Sequence, residues 1–402
     1  MDYRYSDRTR NIRPSAIREI IKYAVAHPDV IALSTGSPAN EAIPVDEIHE
    51  ISEKIFREMP LAGLQYSMTE GYPPLRATTK KRLKEDFNIG TDEDDLIITT
   101  GGQQGLSLAA NVFVNPGDTV IVEQPSFVSG INAMRIHGAN VIGLDMDDDG
   151  IRPEALAHVL ETQDRVKMLY VIPNFQNPSG KTLSYERRKA IYALCAEHGV
   201  IILEDNPYGE LRFRGEEIPS FKSMDTEGIV VYNGTYSKLL SAGMRIGFVM
   251  ARKEPLQLLT IAKQFSDCHS NIFFQILTDE WLNTADVKAH VKKIQGICRD
   301  RCDFMLKLLD EKLDPRVTYT RPDGGLFLWC TLPEGCDSQE LSEVALEKGV
   351  AFVPGRDFMV DNNAPCRSFR LNYTTPSYEN MEKGVERLAE AVKEYFKIKG
   401  ID

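Results

Sequence analysis

Between Leu96 and Met250 the chain alternates short apolar runs with helix-period stretches, and this rhythm restricts the possible fold more than any other feature. The runs are "DLIITT", "TVIVEQ", "ANVIGLD", "KMLYVI", "VIILED", "IVVYNG" and "RIGFVM". Between them lie "QQGLSLAANVFV", "RPEALAHVLET" and "SYERRKAIYALCAEHG", with apolar residues recurring three and four apart. Strands this continuously apolar need cover on both faces. The sequence therefore predicts an α/β fold, a mainly parallel sheet sandwiched by helices. In such sheets ligands bind beyond the carboxyl ends of the strands, so function is read from the polar residues that close each run.

Past about Lys288 the texture changes to a long helical run, then "VTYT", "GLFLWCTL", a further helix, "AFVPG", "SFRLNY" and a final helix through Phe396. This predicts a smaller α+β domain at 289–402, a large domain at 45–288, and an N-terminal segment, 1–44, that packs with the small domain. A length of 402 residues with 42% hydrophobic content suffices for two such cores. The net charge of −12 argues against a nucleic-acid partner. No stretch is apolar for the length a membrane span needs, and the N-terminus lacks the apolar core of a secretory signal. Seven scattered cysteines without a Cys-x-x-Cys pair suit reduced thiols in a cytoplasmic protein. Cys298 and Cys302 are one helical turn apart, but no His or carboxylate cluster accompanies them, so no metal site is expected.

The strand ends carry unlike polar groups. "IITTGGQQGL" runs from a strand through Gly101 and Gly102 into a helix, which would aim the amides of Gly102, Gln103 and Gln104 at an anion. A Gly pair in this place is otherwise an ordinary tight turn. "VEQPSFVSG" offers Phe127, and "IPNFQNPSG" offers Asn177 before a proline, where turn chemistry is the usual reason. "VIILEDNPYGEL" runs a buried strand into Glu204 and Asp205, and carboxylates there call for a cation or donors. "GTYSKLLSAGMRIGF" then sets Lys238 just past a strand end, with Thr235, Ser237 and Arg245 close by.

A partly desolvated lysine near Arg245 has its ammonium form disfavoured, which makes the amine a usable nucleophile. One ligand accounts for the whole set: an aldehyde cofactor with a phosphate tail. Lys238 would form the Schiff base, and Asp205 would keep a pyridine nitrogen protonated. Asn177 and Tyr208 would bond the ring phenolate, Phe127 would stack on the ring, and Gly102, Gln103, Thr235, Ser237 and Arg245 would hold the phosphate.

From about Ile31 to Tyr373 the sequence resembles the class I/II aminotransferases of the fold type I pyridoxal-phosphate enzymes. "GGQQGL", "NFQNPSG", "EDNPYGEL" and "TYSKLLSAGMRIGF" occur in the family order, with "LQYSMTEGYPPLR", "DGGLFLW" and "FVPGRDF" in support. Within the family it is most similar to the 2-aminoadipate and kynurenine aminotransferase branch. The resemblance implies pyridoxal 5'-phosphate as cofactor and Arg370 of "SFRLNY" as the fork for a substrate α-carboxylate, a task lysine does poorly. It implies that Gly36 lies beside the substrate and that Tyr66 reaches the phosphate in the neighbouring subunit of a homodimer. Arg18 matches a substrate-facing arginine that would meet a distal carboxylate. Two departures stand out. Phe127 replaces a tyrosine of many relatives, and Gly102 replaces a hydroxyl residue.

The expected reaction moves the amino group of an acidic or aromatic L-amino acid to a 2-oxo acid such as 2-oxoglutarate, with Lys238, Asp205 and Tyr208 as the catalytic set and ping-pong kinetics. A β-lyase or decarboxylase on the same scaffold is the alternative, because the pocket decides which bond breaks. A cofactor-binding sensor without turnover is the non-enzymatic alternative.

Overall fold

The computed structural model describes residues 3–6, 8, 19, 20, 22, 23 and 26–401. The seven runs become strands of one eight-stranded sheet: β2 (Asp94–Thr99), β3 (Thr119–Gln124), β4 (Asn140–Asp147), β6 (Val166–Val171), β7 (Ile201–Asp205), β8 (Val230–Thr235) and β9 (Gly247–Arg252). A two-residue strand, β5 (Gly150–Ile151), completes the order β2-β9-β8-β7-β6-β3-β4-β5. β4, β3, β6, β7 and β8 run parallel.

Side chains alternate across this sheet, and the core divides accordingly. Val120, Val122, Met168, Tyr170, Leu203 and Val231 join one buried cluster with Leu106, Ala109, Ile131 and Met134 of the helices Gly102–Phe113 and Val128–Arg135. Ile121, Leu169, Val171, Ile202 and Val230 join another with Leu156, Leu160, Ile191 and Cys195 of the helices Pro153–Thr162 and Tyr185–His198. Both faces are therefore covered, as strands apolar at every position require.

The parallel rule stops at β9, which pairs antiparallel with both β8 and β2. The connection between Thr235 and Gly247 holds only turns. A parallel return needs a crossover of about a dozen residues or more, usually a helix. The chain instead folds straight back, and the loop that carries Lys238 stays short.

After the helices Lys253–Ser266, Ile272–Thr284 and Val287–Lys312 the chain builds an antiparallel sheet, β10 (Thr318–Tyr319), β11 (Phe327–Thr331), β14 (Ser368–Asn372) and β13 (Val353–Pro354) in that spatial order. The helices Ser338–Glu347 and Tyr378–Lys399 accompany it. Near the N-terminus β1 (Ile31–Ala32) pairs parallel with β12 (Val350–Ala351), and the Leu33 carbonyl accepts the Asn372 amide at 2.8 Å. These bonds bring Ser34, Thr35 and Gly36 alongside Arg370 of β14. Among the described residues no helix is long and apolar enough to cross a membrane.

Candidate active site

The carboxyl ends of β2, β6, β7 and β8 face one region, and hydrogen bonds tie them together. At the end of β2, Gly101 adopts φ +70°, a conformation that suits glycine, and caps the helix Gly102–Phe113 without a side-chain cap bond. The Arg245 guanidinium lies against it: a Cβ on Gly101 would come within 2.2 Å of Arg245 Nη2. Arg245 Nη1 donates to Ser237 Oγ at 3.3 Å, and Thr235 Oγ1 donates to Ser237 Oγ at 2.8 Å. A helix N-terminus, two hydroxyls and a guanidinium thus converge, and this set of donors suits a phosphate.

Thr100, Gln104, Lys263, Asp267 and Ser270 brace this turn from behind. Gln104 Oε1 accepts the Thr100 amide at 2.8 Å and the Lys263 ammonium at 3.2 Å. Lys263 also donates to Asp267 at 2.6 Å and to Ser270 at 3.0 Å. Lys263 has no exposed side-chain surface, so its charge is spent within the protein.

Lys238 emerges from the turn after β8, and its Nζ donates to the Gly36 carbonyl at 2.7 Å. Its pKa falls to about 8, first through burial, then through the charges of Arg370 and Arg245. The sequence pointed to Arg245, and the structure adds Arg370 as the larger of the two. Among the described residues no carboxylate forms an ion pair with Lys238, so nothing restores the ordinary value of about 10.4.

The two carboxylates at the end of β7 part company. Glu204 faces the opposite side of the sheet and accepts the amides of Phe221 at 3.1 Å and Lys222 at 2.9 Å. Asp205 faces the Gly102 helix, where Asn233 Nδ2 donates to Oδ1 at 2.8 Å and Tyr170 Oη to Oδ2 at 2.9 Å. The strand's twofold alternation forces this split. Glu204 is held by backbone amides with the charges of Arg188 and Lys222 nearby, and Asp205 meets two neutral donors of its own chain. Burial raises the Asp205 pKa to about 6, with the Asn233 and Tyr170 bonds pulling it down.

Arg370 is 1% exposed, and among the described residues it has no carboxylate partner. Nη1 donates to Asn177 Oδ1 at 2.8 Å and Nη2 to the Ser34 carbonyl at 2.7 Å, while Nε has no partner. Its guanidinium carbon lies 4.1 Å from the ring centre of Phe327 and 5.1 Å from that of Phe358. Burial lowers its pKa to about 10, so it remains charged at neutral pH. A buried, charged fork with an unused donor is a receptor for an anion. Tyr208 is buried beside it, edge-on to Phe327 with ring centres 5.9 Å apart.

Most residues expected from the sequence therefore meet. Phe127 sits half-buried at the start of the helix Val128–Arg135, packed against the core on the Asp205 side of the sheet. The Gln103 side chain is exposed, which leaves its backbone amide as the available donor. Tyr66 is 83% exposed, edge-on to His269. Arg18 lies outside the described residues. Sequence reasoning missed Tyr170, Asn233, Phe327, Phe358 and the Lys263 brace. The available signal for Asn233 and Tyr170 was a polar group inside an otherwise apolar strand.

The site offers three features: an anion cradle at Arg245, a carboxylate held by two donors, and a lysine with a lowered pKa. Pyridoxal phosphate carries a phosphate, a pyridine nitrogen and an aldehyde to match them. The close approach of the Arg245 guanidinium to Gly101, which a Cβ would block, and the unpaired Arg370 Nε fit that ligand together with a carboxylate substrate.

Comparison with known proteins agrees. The family described as aminotransferase class I and II matches residues 28–388. The aromatic-amino-acid aminotransferase 1 of Thermococcus litoralis is 38% identical, with 99% of this chain and 96% of that protein covered. The crystal structure of a multiple substrate aminotransferase from Thermococcus profundus superposes with a TM-score of 0.93 at 37% identity, covering 98% of both chains. That of the alpha-aminoadipate aminotransferase from Thermus thermophilus, complexed with N-(5'-phosphopyridoxyl)-L-leucine, gives 0.90 at 35% identity, again covering 98% of both.

Proposed function

The chain belongs to the class I and II aminotransferase family, and from that premise we propose how its residues move an amino group from an L-amino acid to a 2-oxo acid. The observation that carries the reading is Lys238, its pKa lowered to about 8, set between the uncompensated charges of Arg370 and Arg245. Pyridoxal phosphate, when bound, supplies an aldehyde to carry the amino group and a ring to accept the electron pair left when the α-carbon loses its proton.

Gly102, Gln103, Thr235, Ser237 and Arg245 bind the phosphate, and Asp205 holds the proton on the pyridine nitrogen. Asn177 and Tyr208 orient the ring through its phenolate oxygen, and Phe127 packs on its face. Arg370 takes the α-carboxylate with Nη1, which now donates to Asn177, and the unpartnered Nε, so the α-carbon is presented to Lys238. Lys238 Nζ removes the α-proton as general base and returns a proton as general acid. The Gly36 carbonyl accepts the Lys238 ammonium and lines the substrate side.

We assign acidic and aromatic donors, with 2-oxoglutarate as an acceptor. Support comes from relatives named for aromatic, α-aminoadipate and multiple substrates. We further propose a cytoplasmic homodimer in which Tyr66 completes the neighbouring site. Seven free thiols support the compartment, and the exposed Tyr66 supports the dimer.

The test is the absorption spectrum of the purified holoenzyme, followed after adding glutamate, 2-aminoadipate and an aromatic amino acid in turn. The expected result is a yellow protein bleached by a donor and restored by 2-oxoglutarate, with turnover abolished in Lys238→Ala. An enzyme that takes up pyridoxal phosphate but is bleached by no amino acid, and instead releases pyruvate from a cysteine conjugate, overturns the assignment in favour of a lyase.

A further inference from the structure

We propose that Tyr170 and Asn233 are positioning residues that set the charge and aim of Asp205. They bond its two oxygens separately, Tyr170 Oη to Oδ2 at 2.9 Å and Asn233 Nδ2 to Oδ1 at 2.8 Å. Strand register explains their reach. Asn233 of β8 lies directly opposite Asp205 of β7, and Tyr170 of β6 lies opposite Leu203, one same-face step earlier. Both side chains fill room left by helix glycines. A Cβ on Gly130 would come within 2.4 Å of the Tyr170 ring, and one on Gly105 within 2.0 Å of Asn233 Oδ1. A methyl group at either glycine would displace a donor from Asp205.

Asn233 does a second thing. The same Nδ2 that meets Asp205 also donates to the Gly102 carbonyl at 3.1 Å, while its Oδ1 is buried and unpartnered. The amide cannot be reversed, because its oxygen would then face a carboxylate and a carbonyl. It therefore links the phosphate cradle to the pyridine-nitrogen partner and fixes the spacing between the two ends of the ligand.

The electrostatics follow from who faces Asp205. Tyr170 comes from β6, Asn233 from β8, Tyr208 from the loop after β7, and Glu123 from β3. Burial raises the pKa of all three titratable neighbours. Glu123, raised to about 8, is largely neutral at neutral pH, and the Tyr170 and Tyr208 phenols stay protonated. No lysine or arginine among the described residues forms an ion pair with Asp205, so its ionisation rests on the two neutral donors. Losing either makes the carboxyl a stronger base and draws the shared proton away from the ring nitrogen.

This inference rests on Asp205 being the partner of the ring nitrogen. The experiment compares wild type with Tyr170→Phe, which keeps the ring in its Gly130 niche, and with Asn233→Ala as a second variant. Pyridoxal phosphate affinity of the apoenzyme is measured across pH, and the 15N resonance of ring-labelled cofactor is recorded in the loaded enzyme. In wild type the affinity should weaken as pH falls through about 6. In Tyr170→Phe that midpoint should rise by about one unit, the size of one hydrogen bond to a charged group. The 15N signal should move toward the unprotonated position, and kcat should fall with KM for the amino acid little changed. An unchanged midpoint and 15N signal in both variants overturns the proposal, even if activity drops. A wild-type apoenzyme that takes up no pyridoxal phosphate overturns the underlying assignment instead.

Discussion

At the scale of single residues, Lys238 is a stability liability as well as the proposed reagent. Its pKa is about 8 in the fold against about 10.4 for a free lysine. Between those values the unfolded chain binds more protons at this position than the folded one, so the contribution of Lys238 to stability rises with pH across that window. Below about pH 8 the folded protein holds an uncompensated ammonium beside Arg370 and Arg245, and the penalty is complete. Lys238→Met removes the charge. The apoenzyme of this variant should therefore melt at a higher temperature than wild type at pH 7, and the gap should narrow as pH rises from about 8 to about 10. A gap independent of pH, followed by calorimetry, would sink this account. The strain belongs to function, because the repulsion that destabilises the ammonium is the one that frees the amine.

At the scale of elements, the active loops are held by groups that look ordinary in the sequence. Arg187 and Arg188 are adjacent in one helix, yet only Arg188 is fully buried. It donates to the carbonyls of Leu183 at 3.0 Å, Pro219 at 2.9 Å and Pro173 at 2.9 Å, and to Asn174 Oδ1 at 2.7 Å. These bonds clamp both ends of the loop that carries Asn177. Arg188→Met should cost about 3–5 kcal/mol in urea unfolding, because it strands buried acceptors. Arg187→Met, which loses a partly exposed pair with Asp147 at 2.7 Å, should cost no more than about 1 kcal/mol. Similar losses for the two would refute the clamp. The contrast marks where the sequence is legible. Apolar strands announce themselves by local pattern, and so do the groups at their ends, which is why Lys238, Asp205 and Asn177 could be read directly and Arg370 through family motifs. Tyr170 acts sideways across the sheet, Arg188 acts across loops, and Phe358 meets Arg370 from a turn twelve residues earlier in the chain. Such partners depend on register and packing that no local pattern encodes. The antiparallel β9 also escaped, since its direction follows from what its short connection cannot do.

At the scale of the whole molecule, one face does not look finished. Leu61 is 77% exposed, Leu64 67%, Tyr66 83% and Phe265 88%. The stretch that holds Leu61, Leu64 and Tyr66 packs on the segment that follows Phe265: Tyr66 meets His269, and a Cβ on Gly63 would lie 3.1 Å from Phe273. The segment after Phe265 also supplies Asp267 and Ser270 to the brace behind the Gly101 turn. The apolar face and the phosphate cradle are therefore joined, and a twofold axis through the face would bring one chain's Tyr66 toward the cradle of the other. Complementation tests this arrangement. Lys238→Ala and Tyr66→Ala are each prepared with low activity, then unfolded, mixed in equal amounts and refolded together. In a dimer with shared sites, each hybrid has one site with both defects and one site with none. Half the dimers are hybrids, so activity should recover to about a quarter of wild type. If every site is built from a single chain, the mixture keeps only the average of its two parents, and Tyr66 has no role across the interface.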